Sequence, residues 1–323
     1  MTDFRNITVI DHLRFDDHDT GGGLHPESPD RLRVIRDRLS ASILNPFITH
    51  IEASPVAREW LLTVHDEAYL YRFEEAALAG RLDIDHPDNQ ICYESFEVAM
   101  LSASAGINGI DLLESGKAQT VYCNIRPPGH HAERRLALGF CFFNNALIAA
   151  RYWQRKYNRR VLVIDWDAHH GNGIQSGVES DPGIFYVSIH EHPTFSFPGT
   201  GYAEETGIAD GKGMVLNIPL PPGASDAAVL SVLNDSIAPA VKKYSPDAIV
   251  IAAGFDGHQL DDMSGLAYST NLYAKLGVYL NVWAEQYCNG KTLSILEGGY
   301  HLEALAASVE AYLAGLAATK DTQ

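Results

Sequence analysis

The sequence is short of positive charge. Lysine and arginine together number 24 against 41 aspartates and glutamates, a net charge of −17 over 323 residues. A surface this acidic repels a phosphate backbone, so nucleic acid is not an expected partner. It draws in cationic ligands such as lysine side chains or polyamines, although a solvated surface that keeps the chain soluble accounts for most of the charge. Cysteine is scarce too. Cys92, Cys123, Cys141 and Cys288 form no CxxC pair, and a chain of this size hides roughly three-quarters of its unfolded surface without covalent staples. They read as reduced thiols of a cytoplasmic protein. No basic segment followed by an apolar run opens the chain, so no secretory signal is expected. No apolar stretch is long enough to span a bilayer, so a membrane is not an expected partner either. Internal repeats, low-complexity tracts and Pro/Ser-rich linkers are missing, as are GxSxG and Walker A patterns. One domain over 1–323 is the simplest organisation, with homo-oligomerisation left open.

What the chain does have is a series of short apolar, β-rich runs: ITVI (7–10), VYCNI (121–125), VLVI (161–164), IFYVSI (184–189), MVLNIPL (214–220), AIVIAA (248–253) and LSIL (293–296). Near-continuous apolar character without alternation predicts strands covered on both faces. Helical spacing runs roughly over 94–114, 144–157, 226–243, 271–288 and 302–318. Strand then helix, repeated, predicts an α/β fold with a central, mostly parallel sheet and helices on both faces. Residues 21–23 and PGTG (198–201) read as loops. In such sheets functional residues gather beyond the carboxyl ends of the strands. Five runs deliver polar or glycine-rich motifs there: RPPGHH (126–131), DWDAHHGNG (165–173), SIH (188–190), GFDGH (254–258) and EGGY (297–300).

Asp165, Asp167 and His169 stand at i, i+2 and i+4, on one face of an extended segment. Packed carboxylates repel unless a cation or proton sits between them. A divalent metal resolves the repulsion, and carboxylate with imidazole suits zinc. Asp167 and His169 supply two ligands, and Asp256 is the natural third. Asp165 then either orients a histidine or joins a monovalent cation. His130 and His131, adjacent in the neighbouring motif, suit a general base and a positively charged stabiliser, beside a metal that lowers the pKa of water to about 7. Tyr300 suits hydrogen-bond donation to an oxyanion. Taken singly, each motif reads equally well as a helix cap or a satisfied polar residue; their convergence on one sheet edge does not. GNGIQSG (171–177) is one residue too long for a dinucleotide turn, and the acids before it would repel a pyrophosphate.

Seven motifs together resemble the histone deacetylase family: HPESPDR (25–31), RPPGHHA (126–132), GFCFFNN (139–145), DWDAHHGNG, FPGTG (197–201), AAGFDGH (252–258) and LEGGY (296–300). The resemblance implies the three-layer, arginase-like α/β fold and a zinc-dependent amidohydrolase acting on acylated lysine or a related amine. It implies one zinc on Asp167, His169 and Asp256, with His131 as main base and acid, His130 held by Asp165, and Tyr300 on the acyl carbonyl. Phe140 and Phe197 would wall a narrow tunnel, with Gly139 alongside, Met263 near the mouth and Gly298 at the substrate. Arg31 would line an exit for the acid product. Potassium would be held by Asp165, Asp167, His169, Ser188 and Ile189. Asn172, where many relatives carry Asp, resembles the class II enzymes and their bacterial homologues, and orients His131 without adding charge. The segment ERRLAL (133–138) is more basic than that pattern. Substrates in view are acyl-lysine in peptides or proteins and, alternatively, acetylpolyamines or other small acyl amines. The complete set of catalytic residues argues against a silent acyl-lysine reader, and the single-zinc ligand set against a two-metal ureohydrolase.

Overall fold

Strands form where apolar, β-branched residues run without interruption. They are β1 (Ile7–Asp11), β2 (Ile48–Glu52), β3 (Asp83–Ile84), β4 (His86–Gln90), β5 (Thr120–Cys123), β6 (Val161–Asp165), β7 (Ile184–Glu191), β8 (Val215–Leu220), β9 (Ala248–Ala253) and β10 (Thr292–Leu296). The helices are α1 (Asp30–Ser40), α2 (Glu67–Leu78), α3 (Ser95–Glu114), α4 (Asn145–Tyr157), α5 (Asn172–Val178), α6 (Asp226–Val232), α7 (Ala238–Tyr244), α8 (Thr270–Tyr287) and α9 (Leu302–Ala317). The computed structural model describes residues 4–20 and 25–319, so the loop expected at 21–23 lies outside the described residues.

Eight strands make one sheet in the order β2-β1-β5-β10-β9-β6-β7-β8, and each neighbouring pair is parallel. β3 and β4 form a separate antiparallel pair. Every residue of β5, β6, β7, β9 and β10 is buried. Successive side chains point to opposite faces of a sheet, so complete burial means that helices cover both. This is the three-layer α/β arrangement expected from the strand–helix alternation. Parallel pairing also puts all eight carboxyl ends on one edge.

Several elements depart from the sequence reading. β2 was not expected: it is an edge strand, and none of its residues is fully buried. In α1 the buried Leu32, Ile35 and Leu39 sit at helical spacing among six charged residues, which mask the apolar stripe. The helix expected over 226–243 is interrupted by a π turn at Leu233–Ile237. Pro239, in the first turn of α7, has no N–H to donate, and the widened turn accommodates the lost bond. α3 corrects the expectation that no stretch can span a bilayer. By length and hydropathy it qualifies, but 72% of its apolar 18-residue window is buried inside the fold, where it serves as a core helix.

α8 and α9 cross with their backbones nearly touching. A Cβ on Gly315 would lie 2.0 Å from the Ala274 carbonyl oxygen, and one on Gly277 2.2 Å from that of Tyr312. Gly315→Val is expected to force the helices apart and cost about 1–3 kcal/mol. A lowered midpoint of chemical unfolding at unchanged slope checks it; an unchanged midpoint refutes it.

Candidate active site

The carboxyl edge of the sheet carries the chemistry. β6 ends at Asp165, and Asp167 and His169 follow; Asp256 lies just beyond β9, Tyr300 beyond β10, and His130 and His131 beyond β5. Asp167, His169 and Asp256 are buried and bring one donor atom each within 4.8 Å of one another. His169 Nδ1 is 2.9 Å from Asp256 Oδ2 and 3.2 Å from Asp167 Oδ1, while its Nε2 is 3.0 Å from the Met263 carbonyl oxygen. A carbonyl only accepts, so Nε2 carries a hydrogen; Nδ1 faces two carboxylates, where it offers a lone pair to a cation placed among them and a second hydrogen to the acids without one. That arrangement fits a cation among the three donors. Burial opposes charge on His169, but the two carboxylates outweigh it and drive its pKa well above the ordinary value. Burial and the charge of Asp167 push Asp256 up to about 7.

Backbone N–H groups fix the carboxylates. Gly298 donates to Asp167 Oδ2 (2.8 Å), Ala168 to Asp256 Oδ1 (2.8 Å) and His169 to Asp167 Oδ1 (3.0 Å). Gly298, expected beside substrate, packs against two of the carboxylates: its own Cβ would lie 2.6 Å from both Asp167 Oδ2 and Asp256 Oδ2, so only glycine lets the backbone come this close.

The two histidines are pushed apart in charge. His130 Nδ1 is 3.2 Å from Asp165 Oδ2, and its Nε2 is 3.7 Å from Asp167 Oδ1. Burial disfavours its cation, yet Asp167 and Asp165 raise its pKa to about 10. The His131 ring lies 3.9 Å away, centroid to centroid, with Nδ1 2.8 Å from Asn172 Oδ1. Burial, then the positive charge of His130 and His169, lowers its pKa well below the usual range. A cationic and a neutral imidazole side by side is the pattern that separates a stabiliser from a base. Asp165 also accepts from the Tyr186 hydroxyl (3.0 Å) and faces Ser188 across the β6–β7 register. The Ser188 hydroxyl itself bonds His190 Nδ1 at 2.8 Å, and Ile189 is buried in β7. A second buried trio, His130, Cys141 and Glu297, is tied up differently: Glu297 Oε2 accepts from the N–H of Gly129 (2.6 Å) and His130 (3.0 Å).

A cavity of about 560 Å³ leads to this point, lined by His131, Gly139, Phe140, His169, Phe197, Met263 and Tyr300 among others. The Phe197 ring stands edge-on to His131 at 4.9 Å, and Phe140 edge-on to Tyr300 at 5.8 Å. Gly139 (φ 55°) permits this closeness: a Cβ there would lie 2.5 Å from His131 Cδ2 and 2.9 Å from Phe197 Cε1. Phe140 follows at φ 66°, held by an N–H bond to the buried Asn89 side chain (2.9 Å). Asp88, Glu191 and Asp262 also line the cavity, and the sequence reading had not singled them out. Glu191 directly follows SIH, so its place on β7 was the available signal; Asp88 arrives from the unrecognised β3–β4 pair.

Arg31, expected at a product exit, lies against the Tyr300 ring. It is fully buried, donates to the Gly299 carbonyl (2.7 Å) and the Glu297 carbonyl, pairs with Glu27 (3.0 Å), and its guanidinium sits 5.0 Å from the Tyr300 ring centre. Glu27 also accepts from Arg126 Nε (2.9 Å) and Nη2 (2.7 Å). Burial works against its charge, but Arg126 and Arg31 bring its pKa down to about 2. Because that lies below the ordinary 4.5, the carboxylate contributes its full stability above that pH and loses it as pH falls towards 2. Glu27→Gln is expected to cost about 3–5 kcal/mol near neutral pH and to flatten the acid limb of the stability profile, both read from denaturant midpoints across pH.

Imidazoles and carboxylates converging on a cation-suited cradle at one end of a narrow cavity define a hydrolase-type site. Comparison with known proteins narrows the class. The histone deacetylase domain family matches residues 25–316. The chain is 34% identical to a histone deacetylase-like amidohydrolase of Pseudomonas aeruginosa, over 85% of this chain and 72% of that one. It is also 34% identical to the polyamine deacetylase HDAC10 of Homo sapiens, over 88% of this chain and 43% of that one. Among solved structures, the HDA15 HD domain superposes with a TM-score of 0.89 at 30% identity, covering 98% of this chain and 90% of that one. The chain belongs to the histone deacetylase family, and it is an enzyme of the deacetylase kind.

Proposed function

We propose that the protein is a zinc-dependent deacylase that removes acetyl or other acyl groups from the ε-amine of lysine. The observation that carries this reading is the juxtaposition of three donors within 4.8 Å with a neutral His131 and the Tyr300 ring on one cavity wall. Asp167, His169 and Asp256 would hold zinc, which when bound supplies Lewis acidity towards a water and the acyl carbonyl. Phe140 and Phe197 flank the lysine methylenes and exclude water. His131 has Nδ1 committed to Asn172, so Nε2 takes the proton from the attacking water and later returns it to the leaving amine. His130, kept cationic by Asp167 and Asp165, stays in place as an electrostatic partner. Tyr300 donates its hydroxyl proton in a hydrogen bond to the developing oxyanion. Potassium near Asp165, Asp167, His169, Ser188 and Ile189 remains part of this reading as what the family resemblance implies. The four unpaired cysteines support a cytoplasmic setting.

A second reading, hydrolysis of acetylpolyamines or similar small amides, is favoured by Asp88, Glu191 and Asp262. These three carboxylates line the cavity, and no lysine or arginine stands with them among the described lining residues. Side-by-side rates on acyl-lysine peptides and acetylated polyamines decide between the two.

Asp167→Ala is expected to lose bound metal and activity together, measured by elemental analysis and turnover. Tyr300→Phe is expected to keep the metal while kcat falls about 10²–10³-fold. Full-rate hydrolysis by Tyr300→Phe would remove the oxyanion role.

A further inference from the structure

Asn172 stands between His131 and Glu133. Its Oδ1 is 2.8 Å from His131 Nδ1. Its Nδ2 is 2.8 Å from Glu133 Oε1 and 3.4 Å from the His131 carbonyl oxygen. The two ends of a primary amide are nearly the same shape, so a neighbour must decide which way it points. A carboxylate accepts and does not donate, and therefore admits only the NH₂ end. With Glu133 holding that end, the amide oxygen faces His131. Nδ1 of His131 then carries the hydrogen, and Nε2 keeps its lone pair for the cavity.

Resting on the reading of His131 as the base, we propose that Glu133 is a positioning residue that selects the productive tautomer of His131 through the Asn172 amide. The charge stays one amide away from the imidazole, so orientation is imposed without an anion in direct contact with the ring.

The surroundings support a fixed Glu133. Its N–H donates to the Leu136 carbonyl (2.9 Å), and its own carbonyl accepts from His65 Nδ1 (2.9 Å). His65 is buried and kept neutral by that burial, its pKa lowered to about 4. Its Nε2 accepts the Asn144 N–H (2.9 Å), while the Asn144 side chain donates to the Ala132 carbonyl (3.0 Å). The segment that looked unusually basic thus has a clear division of labour. Arg134 and Arg135 turn outward, and both pair with Asp66. Neither draws the Glu133 carboxylate away from the amide.

The test uses the full-length, zinc-loaded enzyme and four variants: Glu133→Leu, Glu133→Gln, Asn172→Leu and the double variant Glu133→Leu/Asn172→Leu. Steady-state kinetics on an acetyl-lysine peptide, metal content, unfolding midpoint and ¹⁵N NMR of the histidine rings are measured together. Glu133→Leu is expected to lower kcat about 10-fold, with KM, metal content and midpoint unchanged. Glu133→Gln, whose carbonyl can still face the NH₂ end, restores most of the rate. Asn172→Leu costs more, and adding Glu133→Leu to it costs nothing further, because the path to His131 is already cut. The His131 resonances show hydrogen on Nδ1 in the native chain and a tautomer mixture in Glu133→Leu. Wild-type kcat in Glu133→Leu, the same loss in the Asn172→Leu background, or a loss that tracks falling metal content would each overturn the proposal. Failure of the functional reading looks different: a native chain that hydrolyses neither acyl-lysine nor acyl amines, with the NMR comparison still reporting on Glu133.

Discussion

Anionic crowding at the end of the sheet sets the terms for this molecule. Asp165, Asp167, Asp256 and Glu297 are all fully or almost fully buried at the carboxyl ends of three adjacent strands. Carboxylates removed from water are costly unless neutralised or hydrogen-bonded. Each arrangement around them answers that cost. Backbone N–H groups of Ala168, His169 and Gly298 point inward, His130 is held as a cation, and His169 turns a ring nitrogen to two of the acids. A protein that only needed stability would replace such a cluster with apolar side chains. Keeping it is intelligible where the anionic field is itself the working part, as a cradle for a positive ion and as the cause of the charge difference between two neighbouring imidazoles.

The fold serves this crowding in two ways. Parallel pairing sends all strand ends to one edge, so residues 131 and 300, far apart in the chain, line one cavity without long connections. Beneath the edge, the buried Glu27 with Arg31 and Arg126 anchors the segment before α1 against the Glu297–Gly299 backbone. The support behind Tyr300 is therefore ionic on one side and aromatic, through Phe140, on the other.

Much of this was legible beforehand, for identifiable reasons. The apolar runs at 161–164, 248–253 and 293–296 are central strands with no polar face, so their ends were evident, and Asp165, Asp256 and Glu297 fall at or just beyond them. The Asp167–His169 spacing and the doubled histidine are local patterns that keep their meaning without tertiary information. What escaped depends on distance or exposure. β2 lies at the edge and lacks an apolar signature; α1 hides its stripe among charges. The role of Gly298 needed the knowledge that two carboxylates lie against it. Glu133 and Asn172 are 39 positions apart, and nothing in either motif says that they touch. Asp88 belongs to a strand of mostly polar residues that no periodicity marks.

The acid lining of the cavity has a consequence for the far end of the catalytic cycle. Deacylation converts an uncharged amide into an amine that picks up a proton at neutral pH. On the proposed chemistry, the species leaving past Asp88, Glu191 and Asp262 is thus more strongly attracted to that passage than the one that entered. Departure of the freed ammonium, not bond cleavage alone, then bears on turnover, and dissolved salt that screens the passage eases it.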